Sequence, residues 1–366
     1  MPVPPALRNL IRTTPTLAPL NNKSIISVSG SQATEFLNGL LATSVTNRPG
    51  YSTFLHAQGR VLHDVFLYTQ PAPLGKSAFL IEHDSSPSET PQLVTLLKRY
   101  VLRSKVKIRD VSEEYDVWAA WGSEAGDKVA KQFNWAPSGS AEPVLDLEAG
   151  KWPWGLDHGV IRDWRAVGMG RRMLVAKEDR PKEASTHDLT SSDAYLLHRI
   201  MHGVPEGSTD IQPMHAFPME SNLDLMGGLD FRKGCYVGQE LTVRTYHKGV
   251  VRKRILPVTI SGNEKHSTPS VNSPPPSLPV HLSVFPTRRD GERPPRGTGT
   301  LLSTILAPAH GISIGLALLR LEHVEGAQKG DIDLAVKSTQ GDDASGEKTW
   351  QVQHWCPDWW PNQESA

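Results

Sequence analysis

Cys235 stands in the run Lys233-Gly234-Cys235-Tyr236-Val237-Gly238-Gln239-Glu240. Its thiolate would be a nucleophile and a soft-metal ligand, and a neighbouring cation favours the thiolate over the thiol. In an extended segment, residues two apart share a side, which puts the Lys233 ammonium with Cys235 and leaves the Gly234 backbone uncovered. The competing reading is a small apolar side chain buried in a tight turn, the commoner fate of a lone Cys without a motif around it. Gly238 supplies the freedom a turn needs, and Gln239 and Glu240 can orient the loop by hydrogen bonds to backbone groups. Arg244, His247, Lys248, Arg252, Lys253 and Arg254 form a positive run that suits an anionic ligand tail, an acidic partner or a solvated strand face.

Other candidate ligands are weaker. His198 and His202 are four apart on a helical stretch, but the run His-Arg-Ile-Met-His lacks the Glu of a zincin. Cys356 lies among Trp355, Trp359 and Trp360, a cluster that reads as an aromatic plug against neighbouring strands. No Gly-rich phosphate loop or Ser-His-Asp order is present with useful specificity.

The elements that must position Cys235 are legible in outline. Ile25, Ile26 and Val28 mark a strand over 24–28, followed by a helix through Phe36, Leu37, Leu40 and Leu41. Residues 51–68 read as a hairpin whose tip is Ala57-Gln58-Gly59-Arg60, and 91–102 as an amphipathic helix. Strands are expected at 79–81, 106–108, 115–121 and within 164–174, with a Pro- and Gly-rich loop over 136–155. A helix near Ser192 buries Leu196, Leu197, Ile200 and Met201. Strands at 254–260, 299–305, 312–319 and 350–354 suit a small C-terminal β-barrel, interrupted by an exposed Pro/Ser-rich insertion at about 262–299.

With 366 residues the chain is long enough for several cores, and 39 basic against 39 acidic residues give no bulk attraction to nucleic acid or anionic membrane. The positive run has no aromatic alternation of the kind that reads RNA. No apolar run approaches the roughly 18 residues of a membrane span. Two cysteines fit a reducing compartment better than a disulfide framework. The first acidic residue is Glu35, and Arg8, Arg12 and Lys23 precede it, which resembles the tail of an organellar transit peptide.

The run Lys-Gly-Cys-Tyr-x-Gly-Gln-Glu resembles the signature of the YgfZ-type proteins, paralogues of the glycine-cleavage T-protein whose mitochondrial members act late in four-iron, four-sulfur cluster maturation. Residues 30–41, Gln58-Gly59-Arg60 and Gly315-Leu316-Ala317-Leu318-Leu319-Arg320 are similar to further parts of that family, so most of the chain is covered. The resemblance implies an α+β, T-protein-like, three-domain arrangement around a central opening, with a C-terminal β-barrel. The expected division is an arm at 1–23, a discontinuous domain at 24–55 plus 160–253 carrying the Cys motif, an α/β domain at 56–159, and the barrel at 254–366.

It also implies an assembly factor of the mitochondrial matrix rather than an enzyme, acting with A-type scaffold proteins on 4Fe-4S targets and monomeric when alone. Cys235 would supply one ligand to iron or to a cluster shared with the partner, because a cluster needs about four protein ligands and one thiolate cannot hold it. No tightly bound cofactor is expected. The alternatives are a tetrahydrofolate-dependent aminomethyltransferase and an interaction scaffold without cluster contact. For folate held weakly, Glu220, Asp230, Arg244 and His247 are the pocket candidates. Against the transferase, Met201 of Arg199-Ile200-Met201-His202-Gly203 stands where the T-protein has its pterin-binding Glu, and Glu82-His83-Asp84 where it has an Asn-Ala sequence. Each lost hydrogen bond to a charged group forfeits roughly 1.5 to 3 kcal/mol.

Overall fold

In a computed structural model, residues 1–46, 48–88, 90–123, 131–145, 152–262, 278–307, 312–338 and 348–361 are described. The chain divides into a larger unit, mainly Arg12–Tyr195 and Glu206–Val251, and a smaller one of Met1–Ile11, Leu196–Pro205 and Arg252–Trp360.

The larger unit holds two five-stranded sheets. The first is antiparallel and built from β1 (Lys23–Gly30), β2 (Gly50–Leu55), β3 (Val61–Gln70), β4 (Ser77–Asp84) and β5 (Lys107–Asp110), in the order β2-β3-β4-β1-β5. Two helices cover it. In α1 (Ala33–Asn38) and α2 (Leu93–Tyr100), Phe36, Leu37, Leu93 and Leu97 pack with Ile26, Val28, Val65, Leu67, Phe79 and Ile81 in one apolar core. The sequence places these elements within a few residues, because each alternates or repeats its apolar side chains at the period of its own geometry.

The second sheet is formed by Val160–Arg162, Arg171–Ala176, Tyr115–Trp121, Thr16–Pro19 and Asp188–Leu189. A buried charge network joins the two sheets: Arg172 reaches Glu82 on β4 and, at 3.0 Å, Glu206, which also accepts from Lys23 at 2.7 Å and Arg165 at 2.8 Å. Asp163 closes on Arg165 at 2.6 Å. Three cations face three anions, so charges that would be costly to bury alone are paired.

In the smaller unit a closed barrel runs Lys253–Gly262, Ile312–Arg320, Gly299–Ala307, Ser283–Arg288, Ile332–Ser338 and Lys348–His354. Leu256, Val258, Leu301, Ala317, Leu334 and Val352 fill it, with Cys356 and Trp360 packed against that core as the expected plug. Helix α3 (Ser192–Met201) contributes Ile200 and Met201 to an apolar cluster with Leu316 and Trp355.

Four expectations need correction. The N-terminal arm is not an arm: Val3 and Leu7 are buried in the apolar cluster of the smaller unit, and Thr16–Pro19 is a strand of the second sheet. The division at 55/56 falls inside the β2–β3 hairpin, whose strands pair from Gly50↔Leu67 to Leu55↔Val61. Residues 136–155 are not loop throughout, since Ala141–Pro143 pairs with Phe133–Trp135. The stretch 262–299 is only partly an insertion. Ser283–Arg288 is a barrel strand with Val284 buried, despite its Pro286, while 263–277 lie outside the described residues.

Candidate functional site: an exposed cysteine on a pinned loop

Residues 229–238 form a tight loop rather than the expected extended segment, and α4 (Gln239–Lys248) follows at once. Both ends of the loop are fixed to the chain after α1. Asp230 N–H donates to Ala42 O at 2.9 Å and Val237 N–H to Gly39 O at 3.0 Å. The Asp230 carboxylate accepts from the backbone N–H of Arg232 at 2.9 Å and of Lys233 at 3.1 Å, and from Ser44 Oγ at 2.7 Å. An Asp that gathers the N–H groups two and three residues on makes a turn without help from distant strands.

Lys233 corrects the sequence reading most directly. Its Nζ donates to the carbonyl oxygens of Asn38 at 2.8 Å, Leu41 at 2.6 Å and Thr43 at 3.2 Å. An ammonium has three donors, and all three are used on carbonyls left free where α1 ends. The ammonium is therefore anchored on the fold, while Lys233 still lines the groove that holds Cys235. Burial pulls its pKa down to about 8, with Asp230 acting against the fall. The Tyr236 ring lies 4.9 Å from that ammonium and is buried, and burial followed by the Asp230 charge pushes its hydroxyl up to about 12.

The far side of the loop is set by glycines. Gly238 is left-handed at φ 82°, and a Cβ there would lie 2.3 Å from His56 O and 2.7 Å from Leu55 Cβ. Gly59, at φ 77°, would meet Leu241 Cβ at 2.7 Å. The β2–β3 hairpin tip and the start of α4 thus approach so closely that neither position accepts a side chain. Gln239 Oε1 accepts from Tyr236 N–H at 3.2 Å, the orienting role expected of it.

Between these supports Cys235 is exposed. It lies in an open groove of about 590 Å³ lined also by Gly234, Glu240, Arg244, His247 and Lys248. The groove's basic side comes from α4, so the positive run is helical up to Lys248 rather than a strand face; Lys253 and Arg254 belong to the barrel, where Arg254 is buried. Phe231, which also lines the groove, stacks on Tyr246 with centroids 4.0 Å apart.

Of the four folate candidates, Arg244 and His247 line the Cys235 groove, the half-buried Asp230 carboxylate accepts from N–H groups of the loop itself, and Glu220 lies in the turn-rich stretch 218–227. Met201 is packed among apolar side chains, Glu82 is in the buried charge network, and Asp84 accepts from Ser208 N–H at 2.7 Å. His198 and His202 sit with rings 4.3 Å apart, and among the described residues no group of three or more His, Cys, Asp or Glu could hold a metal ion.

Comparison with known proteins decides the family. The chain is 40% identical over 356 residues to the iron-sulfur cluster assembly factor IBA57 homolog, mitochondrial, of Cryptococcus neoformans var. neoformans serotype D (strain JEC21), covering 92% of each chain. The chain belongs to the IBA57 family of mitochondrial iron-sulfur cluster assembly factors. An IBA57 homolog of Mycosarcoma maydis is 32% identical, with 95% of this chain and 85% of that one covered. Residues 252–362 match the family described as CAF17, C-terminal beta-barrel domain, in agreement with the closed barrel found here. Among solved structures, the glycine cleavage system aminomethyltransferase T of Bartonella henselae superposes with a TM-score of 0.58 at 14% identity, over 94% of this chain and 86% of that one. This IBA57-family chain thus has the α+β, T-protein-like fold that the Cys235 run implied. Among the described residues no helix is long and apolar enough to cross a membrane.

Proposed function

We propose that this chain acts late in iron-sulfur assembly, supporting 4Fe-4S maturation on target proteins in the mitochondrial matrix together with an A-type scaffold protein. Cys235 offers one thiolate to a cluster shared with that scaffold. The observation that carries the reading is an exposed sulfur on a loop fixed at both ends, in a groove open to another molecule. One thiolate is a fraction of the roughly four ligands a cluster needs, so the partner completes the set and the cluster is cargo rather than a resident cofactor. A ligand held by one bond on this side is also readily released, as transfer requires.

Fixing the loop lowers the entropy lost when the sulfur is ordered against a partner. Arg244 and Lys248 beside it favour approach by an acidic surface or by the negatively charged cluster itself.

The test is aconitase activation by the A-type scaffold with wild-type protein or Cys235→Ser. The serine variant should fold normally and leave aconitase largely inactive, and equal activation by both proteins would remove Cys235 from the mechanism.

A further inference from the structure

The loops at one end of the first sheet carry a surface that cluster chemistry does not use. Strand β3 ends at Gln70, β4 begins at Ser77, β1 ends at Gly30 and β5 begins at Lys107, with Gly30 paired to Ser77 and Ser29 to Lys107. Residues 71–76 and 101–106 therefore emerge side by side. Leu74, at the tip of the first loop, is fully exposed, and Leu102 in the second is 88% exposed. Among the described residues these are the two most exposed large apolar side chains. Leu102 also has φ 42°, a left-handed conformation that costs a branched side chain about 1 to 2 kcal/mol.

Around the leucines stand Lys76, Arg103, Lys105 and Lys107, all exposed and none in an ion pair with a described residue. The second loop is preformed. Lys105 N–H donates to Gln32 Oε1 at 2.7 Å, and Gly30 lets the backbones meet, since a Cβ there would be 2.1 Å from Lys105 O. A groove of about 490 Å³ separates the Pro71–Ala78 side from Lys105–Lys107.

Charges on β5 would be expected simply to guard an edge strand against pairing. That accounts for Lys107 but not for two leucines held out at loop tips. Protruding apolar tips ringed by cations fit a lipid surface, where the tips enter the acyl boundary and the cations meet phosphate headgroups. Docking on an acidic protein or a nucleic acid would use the cations and leave the leucines without an apolar partner.

We propose that this end of the first sheet is a peripheral docking surface for an anionic phospholipid membrane, with Leu74 and Leu102 inserted and Lys76, Arg103, Lys105 and Lys107 on the headgroups. The Cys235 groove lies near the β2–β3 hairpin tip, at the other end of β3, about 30 Å away along its ten residues. Docking would therefore leave Cys235 free to meet a partner from solution.

Sedimentation with equimolar phosphatidylcholine/phosphatidylglycerol vesicles, against phosphatidylcholine alone, tests this with the full chain. Wild-type protein should bind the anionic vesicles only, and added salt should weaken the binding. The Leu74→Ser/Leu102→Ser variant should bind at least about tenfold more weakly with an unchanged thermal midpoint, because both side chains are already in solvent. Lys76→Glu/Arg103→Glu/Lys105→Glu should lose at least about a hundredfold, and Cys235→Ser nothing. Wild-type protein left in the supernatant with both vesicles would overturn the proposal, as would a leucine variant that binds like wild type. Binding to heparin or an acidic polypeptide without vesicle binding would overturn it too, and would assign the patch to soluble polyanions.

Discussion

The two cysteines of the chain sit in opposite environments. Cys235 is exposed above a fixed loop, whereas Cys356 is half-buried against the barrel core, and burial pushes its thiol up from the ordinary value. Reactivity follows access and thiolate fraction. Brief treatment of native protein with iodoacetamide should therefore modify Cys235 alone, with Cys356 labelled only in denaturant, as read by peptide mass spectrometry. Equal labelling of both in the native state would contradict these environments. At this scale the sequence singled out the cysteine that the structure leaves exposed but missed the turn that carries its neighbour. A spacing of two places Lys233 beside Cys235 only if the segment is extended, and the Asp230 turn bends it so that the ammonium reaches Asn38, Leu41 and Thr43. The Asp ahead of Arg232 and Lys233 was the available signal for that turn.

Among the elements, the strands and helices of the first sheet are the most legible, because each buries one regular face. Helix α4 was hidden for the converse reason. Of its residues Thr242 alone is buried, and Val243, Thr245 and Tyr246 favour strands, so no apolar stripe announces a helix. Its ends did carry signals: Glu240 in the first turn, His247 and Lys248 in the last, and Gly249 beyond. The barrel strand Ser283–Arg288 was obscured by Pro286 and its polar neighbours, although Val284 and Pro286 alternate inward.

The two loop glycines separate fold from function. Gly238→Ala meets His56 O and a left-handed backbone and should destabilise the protein by at least about 2 kcal/mol in urea unfolding. A Cβ at Gly234 meets nothing within 4 Å, so Gly234→Ala should leave stability within about 0.5 kcal/mol. If the partner's cluster seats over that backbone, the same methyl slows cluster transfer. An unfolding midpoint that drops for Gly234→Ala and holds for Gly238→Ala would reverse the assignment.

Across the whole molecule, acid should act through buried histidines in both units. His63 is pulled down to about 4 by burial and then by His83, and His354 to about 4 by burial and then by the N-terminal ammonium. The unfolded chain takes up these protons near pH 6.5 and the folded chain near 4, so between those values stability falls as pH falls. Asp64, whose carboxyl burial raises, works in the opposite direction. His354→Gln should therefore reduce the loss of stability between pH 7 and 5 relative to wild type, by up to about 1.4 kcal/mol per pH unit within the window. An identical pH profile would show that His354 is protonated equally in both states. The buried network of Lys23, Glu82, Asp163, Arg165, Arg172 and Glu206 had no sequence signature, because its members are far apart in the chain and meet only once both sheets form.

The claim on which the functional reading depends is that Cys235 ligates a cluster also held by a partner. Anaerobic native mass spectrometry of this chain with an A-type scaffold, iron and sulfide measures it directly. A heterodimer carrying iron and sulfide should form with wild type and Cys356→Ser and be absent with Cys235→Ser, and a cluster-loaded heterodimer that survives Cys235→Ser would contradict it.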